Sequence, residues 1–322
     1  MRTTAKNRAA KVLLVLAGLL VLVFLISLNL GSEALPVLNL NQTQASIFYE
    51  IRLPRVLLGA FVGASLAVAG AALQSLLRNP LAEPYLLGVS NGAALGTMVA
   101  FIFFITSDFA KPLGAIIGAA GATFAVYRLA HTRAGMNVER LILSGVIVTT
   151  FLSSIIILFT SLLDATKLRS FTFWLLGDLS QANITGIYVC GVAAAIGIIV
   201  LMSKARALNL MMLGERDAFD LGVEVKNTRL IVFTTSSALV GVSVAASGSV
   251  GFVGLIVPHI VRLAVGSDNR IVIPCSALFG AAFVMLADTF ARTAIAPREL
   301  PVGAITALIG CPLFIYLLRR SS

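Results

Sequence analysis

Charge is what this sequence has least of. Only 12% of its 322 residues are Asp, Glu, Lys or Arg, whereas 58% belong to the hydrophobic set. A soluble domain keeps about a quarter of its residues charged, so water-soluble enzyme folds are excluded at the outset. Chemistry-bearing residues are equally sparse. The only histidines are His131 and His259; no H-E-x-x-H occurs and no acidic pair stands at metal-ligand spacing. Ser144-Gly145 and Ser90-Asn91-Gly92 lack the frame of a nucleophile elbow. Cys190, Cys275 and Cys311 show neither paired nor zinc-binding spacing, which removes a disulfide framework and a structural metal. No P-loop is present. Asp288 is the acid nearest the middle of an apolar run, and Arg292 four residues on reads as its helical ion-pair partner, so an intrinsic proton relay is not in evidence. Energy for any transport is therefore expected from a partner.

What is abundant is uninterrupted apolar sequence. No Asp, Glu, Lys or Arg falls within 12–32, 56–77, 84–107, 112–127, 141–163, 179–203, 230–261, 271–287 or 300–318. A helix needs about 20 apolar residues to cross hydrocarbon, and backbone amides in lipid must be satisfied within the helix. The run 230–261 is too long for one crossing and carries Gly248, Gly251 and Gly254, so it divides in two. The expected fold is an all-α polytopic membrane protein of ten spans in one domain, near 12–30, 56–77, 86–105, 113–130, 141–163, 184–203, 230–247, 251–265, 271–291 and 302–318. The first run far exceeds the ~7–15 residues of a signal h-region and is read as an uncleaved helix.

The net charge of +10 is distributed unevenly. With ten spans both termini share a side, and 17 basic residues fall on that side against 7 on the other. The positive-inside rule then puts both termini and residues 204–229 in the cytoplasm, with Arg52, Arg55 and Arg292 at the outer mouth. The basic excess is a topology signal and not a nucleic-acid footprint.

Gly59-x-x-x-Gly63, Gly92-x-x-x-Gly96 and Gly114-x-x-x-Gly118 place small residues on single helical stripes, as close helix packing in lipid requires. Two segments resist a helical reading: Asn79-Pro80-Leu81-Ala82-Glu83-Pro84, and Gly248 to Gly254. Broken helices at depth either mark a transport path or accommodate packing. The longest connection expected in the cytoplasm, Lys204 to Arg229, holds two short helical segments, Leu208–Leu213 and Glu215–Leu221, with Gly214 between and Gly222 after. Leu213, Ala218, Leu221 and Val223 offer a small apolar surface. The acids Glu215, Asp217, Asp220 and Glu224 would be repelled by an anionic membrane, which favours a protein partner.

Several motifs together carry a family likeness. Arg52-Leu53-Pro54-Arg55, Asn79-Pro80-Leu81-Ala82 with Pro84, Leu87-Gly88 with Gly92-Ala93, Leu213-Gly214 to Leu221-Gly222, Gly251-Phe252-Val253-Gly254-Leu255-Ile256-Val257-Pro258-His259 and Glu299-Leu300-Pro301-Val302-Gly303 resemble the FecCD family. The resemblance runs from about residue 50 to the C-terminus. It implies the type II ABC importer permease architecture, serving iron-siderophores, haem or vitamin B12 in a bacterial or archaeal cytoplasmic (inner) membrane. It further implies a second permease copy or paralogue, two cytoplasmic ABC ATPases and an extracytoplasmic substrate-binding protein, with ATP used by the ATPases and no cofactor bound directly. By the same resemblance Leu213, Gly214, Glu215, Ala218, Leu221 and Gly222 contact the ATPase, and Arg52, Arg55 and Arg292 meet glutamates of the binding protein. Asn137, Val138 and Glu139 stand at the inner-gate position, in place of the small hydroxylated pair of the vitamin B12 importer. An ion-coupled secondary transporter is the alternative from another class, and a membrane-embedded enzyme the third.

Overall fold

The computed structural model of the protein describes residues 2–31, 41–103, 109–132 and 135–321. In chain order the elements are α1 (Arg2–Asn29), α2 (Gln42–Ser46), α3 (Leu53–Leu76), α4 (Val89–Phe103), α5 (Ala110–Ala130), a hairpin of β1 (His131–Thr132) and β2 (Gly135–Met136), α6 (Val138–Thr160) and α7 (Ala165–Leu175). They continue as α8 (Ile184–Ser203), α9 (Ala205–Leu213), α10 (Glu215–Asp220), α11 (Val225–Ser247), α12 (Val253–Val265), α13 (Asn269–Thr293) and α14 (Val302–Ser321). Among the described residues seven helical runs are long and apolar enough to cross a membrane, and α4, α12 and the apolar part of α14 are shorter. Residues 104–105, at the end of the span expected over 86–105, lie outside the described residues.

Two helical features are not those expected. Residues Gln42–Leu76 form one run of 35 residues, α2 and α3 joined through a π-helical turn at Ile47–Arg52, so Arg52 and Arg55 lie inside a helix. Helix α7 is a separate amphipathic piece, begun by Asp164, whose side chain accepts from the Lys167 amide at 2.9 Å.

Helix α3 is the centre of the molecule, packed by α13, α11, α8 and α12. Its sequence explains the position: between Leu58 and Leu76 most residues are Gly, Ala, Ser or Val and most are buried, so four neighbours approach without steric conflict. The most extensive pairing joins α4 and α5. There the Gly92/Gly96 stripe faces the Gly114/Gly118 stripe, and a Cβ on any of the four would run into a carbonyl of the opposite backbone. These two motifs therefore serve packing within the chain.

The two irregular segments meet each other. Pro84 packs against Gly254 beside the Leu66 carbonyl, about ten residues or 15 Å back from the end of α3. The chain leaving α3 thus turns back before α4 begins. The Tyr85 hydroxyl donates to the Val250 carbonyl at 3.0 Å and accepts the Val250 amide at 2.9 Å. Glu83 Oε1 accepts the Phe252 amide at 2.8 Å, holding Phe252 at φ 67, a region a bulky L-residue adopts only under constraint. Helices α4 and α12, of 15 and 13 residues, start from this junction and are about 22 and 20 Å long, short of the ~30 Å hydrocarbon core.

Candidate coupling face and buried arginine cluster

At one end of the bundle α9 and α10 form a compact elbow. Gly214 links them at φ 151, and Gly222 closes α10 at φ 84. Around Gly222 the Val223 amide donates to the Ala218 carbonyl and the Gly222 amide to the Phe219 carbonyl, both at 2.9 Å, a helix-ending pair of bonds that suits a glycine. The elbow is fixed from below by a polar network. Asn209 donates to Asp268 at 2.7 Å and accepts the Asn269 amide at 2.8 Å. Asn269 in turn accepts from Ser75 at 2.8 Å, and Arg262 donates to Ser75 at 2.7 Å and to the Ala71 carbonyl at 3.0 Å. Helix α9 is thereby tied to α3, α12 and α13. Asp268 begins α13 as its cap, and Arg270, with the Asn209 amide, holds its carboxyl down at about 2 despite partial burial.

The elbow's outer surface is not the one expected in every position. Leu213, Phe219 and Leu221 are 70%, 71% and 62% exposed, while Ala218 is 0% exposed and packs into the bundle core. In a six-residue helix Ala218 and Phe219 point about 100° apart, so only one of them can face out. Phe219 was not singled out from the sequence, although its place in an acidic, otherwise polar helix was the available sign.

Glu215, the first residue of α10, is shared by two arginines. Arg229 of α11, its side chain 7% exposed, pairs closely with Glu215, and Arg78, just past α3, lies 3.5 Å from it. A second amino group of Arg229 donates to the Met136 carbonyl. The next residue, Asn137, caps α6 by accepting the Arg140 amide at 3.1 Å, Val138 opens that helix, and Glu139 stands exposed in its first turn. Arg78, Arg229, Glu215 and the Met136–Glu139 segment line one cavity of about 300 Å³. The structure thus brings Glu215 of the elbow together with Asn137, Val138 and Glu139 of the candidate gate, through arginines that sequence reasoning left unassigned.

The arginines expected at an open outer mouth are instead folded inward. Arg52 donates to the Leu28 and Asn29 carbonyls at 3.2 and 2.9 Å, and Arg292 donates to the Ser27 carbonyl. The last turn of α1 has carbonyls without helical partners, and two cations supply the missing donors. Arg55 makes a two-pronged contact with Asp288 at 2.9–3.0 Å and reaches Glu299 at 2.8 Å. The main partner of Asp288 is therefore Arg55 from α3; Arg292, four residues along, is 3.7 Å away. All three arginines are at most 6% exposed. A buried guanidinium needs partners; Arg52 and Arg55 have those named above, while Arg292 leaves its Nε without a hydrogen bond among the described residues. A cavity of about 410 Å³ lies beside Arg55, Asp288 and Glu299.

Among the described residues no group of histidine, cysteine, aspartate or glutamate side chains is arranged to hold a metal ion, and His259 contacts Phe314 edge-on. Against this geometry, the family model of the FecCD transport family matches residues 18–320. The chain belongs to the FecCD transport family. Over 312 residues this FecCD chain is 39% identical to the hemin transport system permease protein HmuU of Yersinia pestis, covering 94% of itself and 93% of that protein. It is 37% identical over 336 residues to the iron(3+)-hydroxamate import system permease protein FhuG of Bacillus subtilis, covering 99% of each. A solved metal-chelate type ABC transporter in an inward-facing conformation superposes at a TM-score of 0.89 with 36% identity, covering 97% of this chain and 99% of that one. The FecCD chain is thus a multi-pass membrane transport permease subunit, and ATP hydrolysis in such importers resides on a separate subunit.

Proposed function

We propose that this permease imports a metal chelate, most simply an iron-siderophore, with haem and vitamin B12 as the other cargo classes. It would cross the cytoplasmic membrane ten times with both termini inside, pair with a second permease copy or paralogue, and sit on two ATPases. The observation that carries the reading is the α9–α10 elbow: an apolar trio, Leu213, Phe219 and Leu221, exposed on a base hydrogen-bonded to α3, α12 and α13. Such an exposed trio on a firm support suits a docking knob that receives force from a partner. Leu213, Gly214, Glu215, Leu221 and Gly222 stay in the proposed ATPase contact, with Phe219 added and Ala218 acting from within as the elbow's packing residue. The ion-coupled alternative needs a titratable acid in the membrane. Asp288, the acid best placed for it, is engaged by Arg55.

Docking of a binding protein is part of the same proposal with altered chemistry. Arg52, Arg55 and Arg292 would shape the outer rim, Arg55 by orienting half-exposed Glu299, while their own guanidinium groups serve α1 and Asp288. The test is reconstitution of the permease with a cognate ATPase and binding protein in proteoliposomes, assayed with hemin, a ferric hydroxamate and cobalamin in turn. Uptake that requires internal ATP and persists when ion gradients are collapsed supports the reading. Uptake driven by a gradient without ATP overturns it.

A further inference from the structure

We propose that Arg229 is a positioning residue that couples the elbow to the candidate gate, carrying a displacement of α10 to the start of α6. This rests on the importer reading above. The cluster is built in a way that fits such a task. A guanidinium is a flat, rigid fork, and here its two amino groups are used in different directions: one on the Glu215 carboxylate at the start of α10, the other on the Met136 carbonyl immediately before the α6 cap. Arg229 is buried and its bond to the Met136 carbonyl is sheltered from solvent, whereas the Glu215 carboxylate it also holds is 41% exposed, so the arginine is fixed at the α6 side and meets a more accessible partner on α10. Its stem is anchored in α11, which packs directly on α3 and α5.

Two further features belong to this cluster. Arg78, which reaches Glu215 from the end of α3, is a non-glycine residue at φ 49, a conformation maintained by the bonds that end α3, the Arg78 amide to the Ser75 carbonyl and the Asn79 amide to the Gln74 carbonyl. The third donor of Arg229, Nε, is buried with no acceptor among the described residues. A buried donor without an acceptor is uncommon, and Nε of Arg292 is the other arginine case among the described residues. Arg229 and Glu139 line the same cavity, so a shift of the first turn of α6 changes the distance between this guanidinium and a second carboxylate.

The test reads the gate directly and needs no cargo. In a background lacking the native cysteines, Asn137→Cys is labelled with a maleimide in the purified permease–ATPase complex, without nucleotide and with ATP plus orthovanadate. With Arg229 intact the labelling rate is expected to differ between the two states by about fivefold or more. Arg229→Lys keeps the charge and removes the fork; the expected result is a complex that still copurifies with the ATPase but labels alike in both states. Glu215→Gln, which weakens the pull from α10, should cut the nucleotide-dependent difference at least by half. A difference fully retained in Arg229→Lys overturns the relay. So does loss of the ATPase from Arg229→Lys complexes, because the arginine then merely builds the elbow. If Arg229→Lys does not yield a folded complex, Glu215→Gln decides alone: an unchanged difference overturns the proposal. Failure of the underlying reading looks different, since the complex with Arg229 intact would then show no nucleotide-dependent labelling at Asn137→Cys.

Discussion

At the scale of single residues, the buried arginines change what substitution should do. Arg52→Ala or Arg292→Ala removes donors from the end of α1, and each is expected to lower stability by about 1–3 kcal/mol, as loss of a charge-assisted bond does. The check is a lowered melting temperature in detergent together with faster labelling of a cysteine at Ser27, which is fully buried. Ala218 and Phe219 give a contrasting pair. Ala218→Arg forces volume and charge into the core, so the permease itself should melt earlier. Phe219→Asp leaves the core untouched and should release the ATPase from a permease of ordinary stability. Copurification and melting measured on both variants decide the matter: an Ala218→Arg protein as stable as the parent contradicts the packing described here. The elbow was legible in the sequence because its signals are local, two glycines bracketing a short acidic helix. The arginine partners were not, because Arg55 and Asp288 are 233 positions apart and nothing in either neighbourhood records their meeting.

Helices and their junctions form the next scale. The α4–α5 pair depends on absent side chains, so Gly96→Val should wedge the two helices apart and cost about 1–3 kcal/mol, whereas Gly121→Ala, with open space around its missing Cβ, should be neutral. Melting temperatures of the two variants test this. The tie beneath α9 has a predictable response to acid. The Asp268 carboxyl is depressed from 3.8 to about 2, so its contribution is complete above pH 4 and is lost as pH falls through about 2. Asp268→Asn keeps the cap on α13 but loses the charge. The stability gap to the parent should therefore be below about 1 kcal/mol near neutrality, and should close between pH 4 and 2. Long helices were legible as charge-free runs. Helix α7 was not, since Lys167 and Arg169 interrupt its hydrophobicity, and the joined run Gln42–Leu76 was divided by arginines whose partners lie on α1 and α13.

For the whole molecule, the proposed orientation puts the elbow inside the cell. A cysteine at exposed Asp217, in a background without native cysteines, should resist an impermeant maleimide in intact cells and react once membranes are opened. Rapid labelling in intact cells would reverse the orientation and with it the assignment of α9–α10 to an ATPase. The junction of the two broken segments also has an electrostatic side. Glu83 provides the start of α12 with a built-in counter-ion. A helix end of this kind carries about half a positive elementary charge and, left bare, gathers anions. With a Glu83 oxygen seated 2.8 Å from the Phe252 amide, that end is already occupied and closed to a second anion.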